Sequence, residues 1–216
     1  MLLQTILFPI AAGILMAKVP MPKQRYRLFV WIALAITDGL GLTVALKGGS
    51  ISLFSLTDTV SLAFSVDAMG KFFMILTMVL YTAAGIYALG YLEHDERPQQ
   101  FFVFWFVSFG AILATCMAEN LVSLYLCFEM ATLTSMPLVL HDRTKESVAA
   151  AQKYLFYSIG GALLGLFAVI VLVPYGGKAF VFGGTLDTSA VAGHEGLVLA
   201  AVFLGIVGFG AKAGII

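Results

Sequence analysis

The chain is 216 residues long, 61% hydrophobic and 11% charged, with 12 Lys and Arg against 12 Asp and Glu. A mean hydropathy of +1.00 excludes an ordinary soluble domain, and the zero net charge offers no basic face to nucleic acid. The composition fits a chain whose solvent is the lipid bilayer.

Apolar runs of about 20 residues, the length of a membrane-crossing helix, recur along the chain and predict an all-α polytopic membrane protein of seven spans. The first covers Leu2–Ala17. No basic leader precedes it, so it reads as a retained helix and not as a cleaved signal peptide. A basic loop follows with Lys18, Lys23, Arg25 and Arg27, then a second span from Leu28 to about Leu46. Between Gly48 and Val66 the period changes to two: Val60, Leu62, Phe64 and Val66 alternate with Ser61, Ala63, Ser65 and Asp67, and Thr57-Asp58-Thr59 is turn-like. That pattern predicts a short β-hairpin.

The third span runs from about Lys71 to Leu92 and ends in the charged loop Glu93–Arg97. Only Glu119 and Asn120 separate the fourth span, Phe101–Ala118, from the fifth, which makes the two antiparallel neighbours. The sixth covers Ser147–Val173. A Gly-rich irregular stretch, Pro174–His194, leads to the seventh, which starts near Gly196 and reaches Ile216. Lys and Arg concentrate in loops one, three and five, against only Lys47, Lys71 and Lys178 on the other side. The positive-inside rule therefore predicts an outside N-terminus, an outer hairpin, and basic loops on the cytoplasmic side of the cell (inner) membrane. Two regions are expected: 1–66, the N-terminal helices and hairpin, and 67–216, helices three to seven.

Glu129 stands near the middle of the fifth span. A carboxylate at that depth costs about 2.5–3.5 kcal/mol on insertion scales, so it needs a partner or a cavity. It is either a protonated acid bonded to a neighbouring helix or a proton-binding carboxylate on an ion path. Thr132, Thr134 and Ser135 keep this helix polar, and Pro137 leaves the carbonyl of Leu133 without its helical donor. Lys212 has two readings: a lysine near the cytoplasmic edge that snorkels to water, or a buried lysine that exchanges protons. Lys153, at the start of the sixth span, is an interfacial lysine or a proton relay, and His141 closes the Glu129 helix where protons would come in. Asp38 interrupts the second span as a structural hydrogen-bonding group or a secondary conduction residue. Cys116 and Cys127 sit inside apolar runs as buried thiols. No spacing among His94, His141 and His194 suggests a metal site, and no flavin, quinone, iron–sulfur or nucleotide motif occurs, so no cofactor is expected on this chain. Gly161 with Gly165, and Gly210 with Gly214, have the small-xxx-small spacing of close helix contacts.

Three stretches in order, AENLVSLYLCFEMATLTSMPLVL, TKESVAAAQKYLFYSIGGALLG and GFGAKAGII, resemble the antiporter-like subunits of complex I. The same family supplies the large subunits of Mrp-type sodium/proton antiporters and of membrane-bound energy-converting hydrogenases. The resemblance runs from about Val66 to Ile216, and the N-terminal helices match only in hydropathy. It implies the first half of a fourteen-helix fold with inverted repeats, and an outer hairpin at Gly48–Val66. Glu129 matches the family's fifth-helix glutamate, Lys212 the lysine after which its seventh helix breaks, and Lys153 a lysine common at the start of helix six. Some members carry an acid where this chain has Ala162, which aligns it with members that rely on the Glu–Lys pair alone. The family continues beyond the point where this sequence stops, so a fragment or a split gene is expected.

The implied function is a proton- or sodium-translocating subunit of a redox-driven pump related to complex I or a hydrogenase, working with other membrane subunits and doing no redox chemistry itself. The alternatives are a Mrp-type antiporter subunit without a redox partner, and a structural membrane anchor.

Overall fold

The computed structural model describes residues 1–55, 61–176 and 185–212. Seven long helices carry the fold: α1 (Leu2–Lys18), α2 (Lys23–Lys47), α3 (Ala68–Tyr91), α4 (Pro98–Cys116), α5 (Leu121–Val139), α6 (Lys145–Leu172) and α7 (Glu195–Lys212). All but α1 are long and apolar enough to cross a membrane; α1, also apolar, has 17 residues. Two antiparallel strands, β1 (Ser50–Ser55) and β2 (Ser61–Ser65), form the hairpin. The turn expected at Thr57–Thr59 lies outside the described residues, as do Lys178 and Gly214.

The second helix starts five residues ahead of the expected Leu28, so Lys23, Arg25 and Arg27 are helical and not loop. Cations in a first helical turn oppose the helix dipole. Glu93 offsets this from across the bundle, with Lys23 Nζ and Arg27 Nη1 at 3.9 and 3.4 Å from its Oε1. At the far end of α2, Gly48 and Gly49 take φ of 67° and 136°, a left-handed reversal that turns the chain into β1.

The hairpin is more deeply embedded than its alternation implies. Ala63 is as buried as Phe64, because the short α4–α5 connection adds a third edge to β2. Ser65 N donates to Met117 O at 2.8 Å and Glu119 N to Ala63 O at 3.0 Å, while Phe64 bridges Ala118. Asn120 then secures the start of α5 twice: its Oδ1 accepts from Ser123 N and its Nδ2 donates to Ser61 O, both at 2.8 Å.

The helices pack as two groups joined through α4 and α5. In the first, α1 lies along α4, with α2 and α3 beside them, around fully buried Phe102, Phe106, Phe109 and Tyr26. In the second, α6 and α7 form the closest pair, and α5 contacts α6.

Candidate functional site

The depth of Glu129 is set by the Asn120 cap, from which it lies about two and a half turns down α5. The position of Lys212 is set by the α6–α7 contact. There a Cβ on Gly161 would stand 2.7 Å from Gly208 O, and one on Gly208 would stand 2.5 Å from Gly161 O. Only glycine lets the two backbones touch at this point, four residues before Lys212 in the last described turn of α7.

Lys212 therefore turns into the bundle. Its ammonium donates to Glu129 Oε1 and lies 3.4 Å from Thr132 Oγ1. It also stands 5.0 Å from the centroid of the Phe128 ring, a cation–π distance. Its side chain is 3% exposed, against 22% for that of Glu129. The lysine is thus withdrawn from solvent, and the carboxylate, a hydroxyl and an aromatic face replace its water.

A cavity of about 260 Å³ opens beside Lys212. Five hydroxyl groups line it, those of Thr115, Thr132, Ser135, Tyr154 and Ser158. The hydroxyls of Ser135 and Tyr154 bond to each other at 2.9 Å, linking α5 to α6. The volume accommodates several waters, and hydroxyls both donate and accept. Such a lining can carry a proton to the neutral amine of Lys212 or away from its ammonium.

A second space of about 210 Å³ lies at the other end of α5, lined by Gln100, Phe104, Pro137, Leu140, His141 and Arg143. His141 Nε2 is 3.3 Å from Asp95 Oδ1, with its ring edge-on to Phe101. Arg143, at a left-handed φ of 53°, donates to Gln100 Oε1 at 3.2 Å. Pro137 lines this space and Ser135 lines the Lys212 cavity; two positions apart on α5, they stand on nearly opposite faces of the helix.

Of the residues singled out in the sequence, Glu129 and Lys212 meet directly, and His141 borders the neighbouring space. Lys153 is exposed and makes no hydrogen bond or ion pair among the described residues, although the next residue, Tyr154, is part of the site. Asp38 lies elsewhere, between α2 and α3, where Thr82 Oγ1 donates to its Oδ2 at 2.6 Å. The cysteines are free thiols, with Cys127 buried and Cys116 Sγ 3.6 Å from Thr77 Oγ1. Sequence reasoning missed Thr115, Phe128, Tyr154 and Ser158. Tyr154 and Ser158 stand four apart, which places them on one helical face.

A family profile described as "NADH:quinone oxidoreductase/Mrp antiporter, TM" matches residues 118–216. A second, "NADH-Ubiquinone oxidoreductase (complex I), chain 5 N-terminus", matches residues 50–102. The Na(+)/H(+) antiporter subunit A1 of Staphylococcus haemolyticus is 26% identical over 144 residues, 66% of this chain and 18% of the relative. The protein of that name from Staphylococcus aureus is 29% identical over 108 residues, 50% of this chain and 14% of the relative. The aligned part is thus less than a fifth of either curated relative.

Among solved structures, the Mrp complex from Dietzia sp. DQ12-45-1b superposes with a TM-score of 0.81 at 17% identity, covering 98% of this chain and 23% of that one. The membrane-bound sulfane sulfur reductase, an archaeal respiratory membrane complex, gives 0.73 at 23%, covering 96% and 33%. Respiratory complex I from Thermus thermophilus with bound NADH gives 0.72 at 19%, covering 98% and 43%. At these identities the likeness is one of fold, and it takes in α1 and α2, which the sequence related to the family only by hydropathy. The first matched residue, 50, also brings the hairpin inside the family's bounds. Two family profiles match residues 118–216 and 50–102, and the fold is shared along nearly the whole chain: this integral membrane protein is similar to the antiporter-like subunits of complex I and the Mrp antiporters, of whose length it spans a part.

Proposed function

We propose that this chain is the intake half of an ion-translocating subunit in a multi-subunit membrane complex, and that the Glu129–Lys212 pair is its proton switch. The observation that carries this reading is the contact itself: a lysine withdrawn from solvent, held by one carboxylate, on a hydroxyl-lined cavity. In the proposed orientation the hairpin faces outward, the His141 end faces the cytoplasm, and residues 67–216 form the half-channel. A proton enters past His141 and Pro137, crosses at the Ser135–Tyr154 bridge and is stored on Lys212. Exposed Lys153, at the cytoplasmic start of α6, gathers protons ahead of the bridge.

The magnitudes are sufficient. Moving one charge against 100 mV costs about 2.3 kcal/mol. Two unit charges about 4 Å apart attract by about 4 kcal/mol at an effective dielectric constant of about 20. Drawing Glu129 away from Lys212 removes attraction of that order and favours release of the proton onward. A buried ion pair contributes little net stability, because desolvation of its charges offsets their attraction. That argues against an inert anchor.

Two driving modules are compatible with the pair. The curated relatives are sodium/proton antiporter subunits, which favours exchange of the proton for sodium without a redox partner. The fold shared with an archaeal respiratory complex and with complex I favours a redox-driven pump. In the assembled complex, Glu129→Gln is expected to abolish driven proton translocation at unchanged assembly; an unaltered proton yield would sink the proposal. Proton movement driven by a sodium gradient alone, with no electron donor, separates the first module from the second.

A further inference from the structure

The hairpin end of the bundle holds a third space, a groove of about 560 Å³ between α3, α4 and α5. Exposed Asp67 stands at its mouth, and Met69 beside it is 67% exposed, so the groove opens at the hairpin surface. Deeper in, Thr77 and Cys116 face each other across it at 3.6 Å. Two residues of α4, Ile112 and Thr115, line both this groove and the Lys212 cavity. The hydroxyl of Thr115 donates to the carbonyl of Ala111 at 2.9 Å and keeps only its acceptor capacity, and the aliphatic side chain of Ile112 is the wholly apolar part of the partition.

We propose that Ile112 is an insulating plug: its side chain, set between the Lys212 cavity and the groove that opens at Asp67, keeps the stored proton from escaping to the hairpin side within this half of the subunit. The inference rests on the proton-translocating reading above and adds to it the place where that function is protected from short circuit. A water chain conducts protons only while its hydrogen bonds are continuous, and an aliphatic group in the gap offers neither donor nor acceptor. With a hydroxyl-lined cavity on one side and a groove open to the surface on the other, Ile112 borders both spaces at this point. Removing volume at Ile112 joins the two spaces.

The test is passive, so it needs no working pump. Sealed inside-out membrane vesicles holding equal amounts of assembled complex are given a pH gradient with no energy source, and its decay is followed by an acridine dye. Ile112→Leu is expected to match the unsubstituted complex, Ile112→Val to decay slightly faster, and Ile112→Ala several-fold faster. Decay independent of side-chain volume overturns the plug. Should Ile112→Ala fail to assemble, Cys116 of the unsubstituted complex gives the answer. In right-side-out vesicles a small impermeant thiosulfonate is expected to label it from the hairpin side, and a Cys116 that stays unlabelled overturns the proposal by showing the groove to be sealed. The outcome is separable from that of the parent reading, which stands or falls on Glu129→Gln in driven transport.

Discussion

Between α1 and α4 the interior is filled by large side chains: Phe102, Phe106, Phe109, Leu34 and Met74 are each under 2% exposed, and Tyr81 stacks on Phe109 at 4.7 Å. Between α5, α6 and α7 most buried positions are small or hydroxylated, Val169 and Val198 apart: Ser158, Gly161, Ala162, Gly165 and Ala168 on α6, and Ala201, Gly205 and Gly208 on α7. The first region closes on itself around these side chains. The second brings backbones together at Gly161 and Gly208 and leaves a hydroxyl-lined cavity beside the charged pair. Bulk serves to fix one half, and its absence serves to admit water and charge in the other. Scaffold and site thus differ by residue size more than by hydropathy, which is high in both.

The contrast is broken most severely by adding bulk where there is none. Gly208→Val places a side chain within 2.5 Å of Gly161 O and 2.7 Å of Gly165 N. The helices must separate, Lys212 leaves Glu129, and driven proton transport is expected to be lost in complex that still forms. The converse change, Phe106→Ala, removes bulk where it is needed. It is expected to cost about 3–5 kcal/mol of stability, read as a lower thermal midpoint in detergent, with transport per assembled complex retained.

Smaller changes sharpen the comparison. Tyr154→Phe removes one partner of the 2.9 Å bond to Ser135, worth about 1 kcal/mol. It is expected to slow proton uptake several-fold while leaving the thermal midpoint nearly unchanged. Asp38→Asn keeps an acceptor for Thr82 and sits outside the cavity; transport at the unsubstituted rate is expected, and a large loss would place Asp38 on the conduction path. In this series, changes in the wet half alter transport and changes in the dry half alter stability.

The existence of seven helices and a hairpin was legible in the sequence because apolar runs and a period of two are local signals. Their bounds were less so: α2 begins at Lys23 because Glu93, 70 residues away, accepts the hydrogen bond of its first lysine and faces Arg27. The embedding of β2 was hidden for a similar reason, since the α4–α5 connection supplies partners that no strand pattern announces. Glu129 and Lys212 stood out as charges in apolar runs, but residues alone left Lys212 divided between edge and interior. Resemblance to a family moved that balance, and the placement against Glu129 agrees with it. The hydroxyls of Tyr154 and Ser158 escaped notice because tyrosine and serine are unremarked in a membrane helix until a neighbour faces them.

Asn120 has a consequence for how the pair moves. Its Oδ1 caps the first turn of α5 and its Nδ2 ties that turn to Ser61 of the hairpin, so Glu129 hangs at a fixed length of about 13 Å below that anchor, at 1.5 Å per residue. The height of Lys212 is measured on a different ruler, the glycine track along which α7 lies against α6. A carboxylate suspended from a fixed datum and an ammonium riding a smooth rail make a vernier: a slip of α7 by a fraction of its ~5.4 Å pitch changes their alignment while the anchor of α5 on the hairpin stays in place.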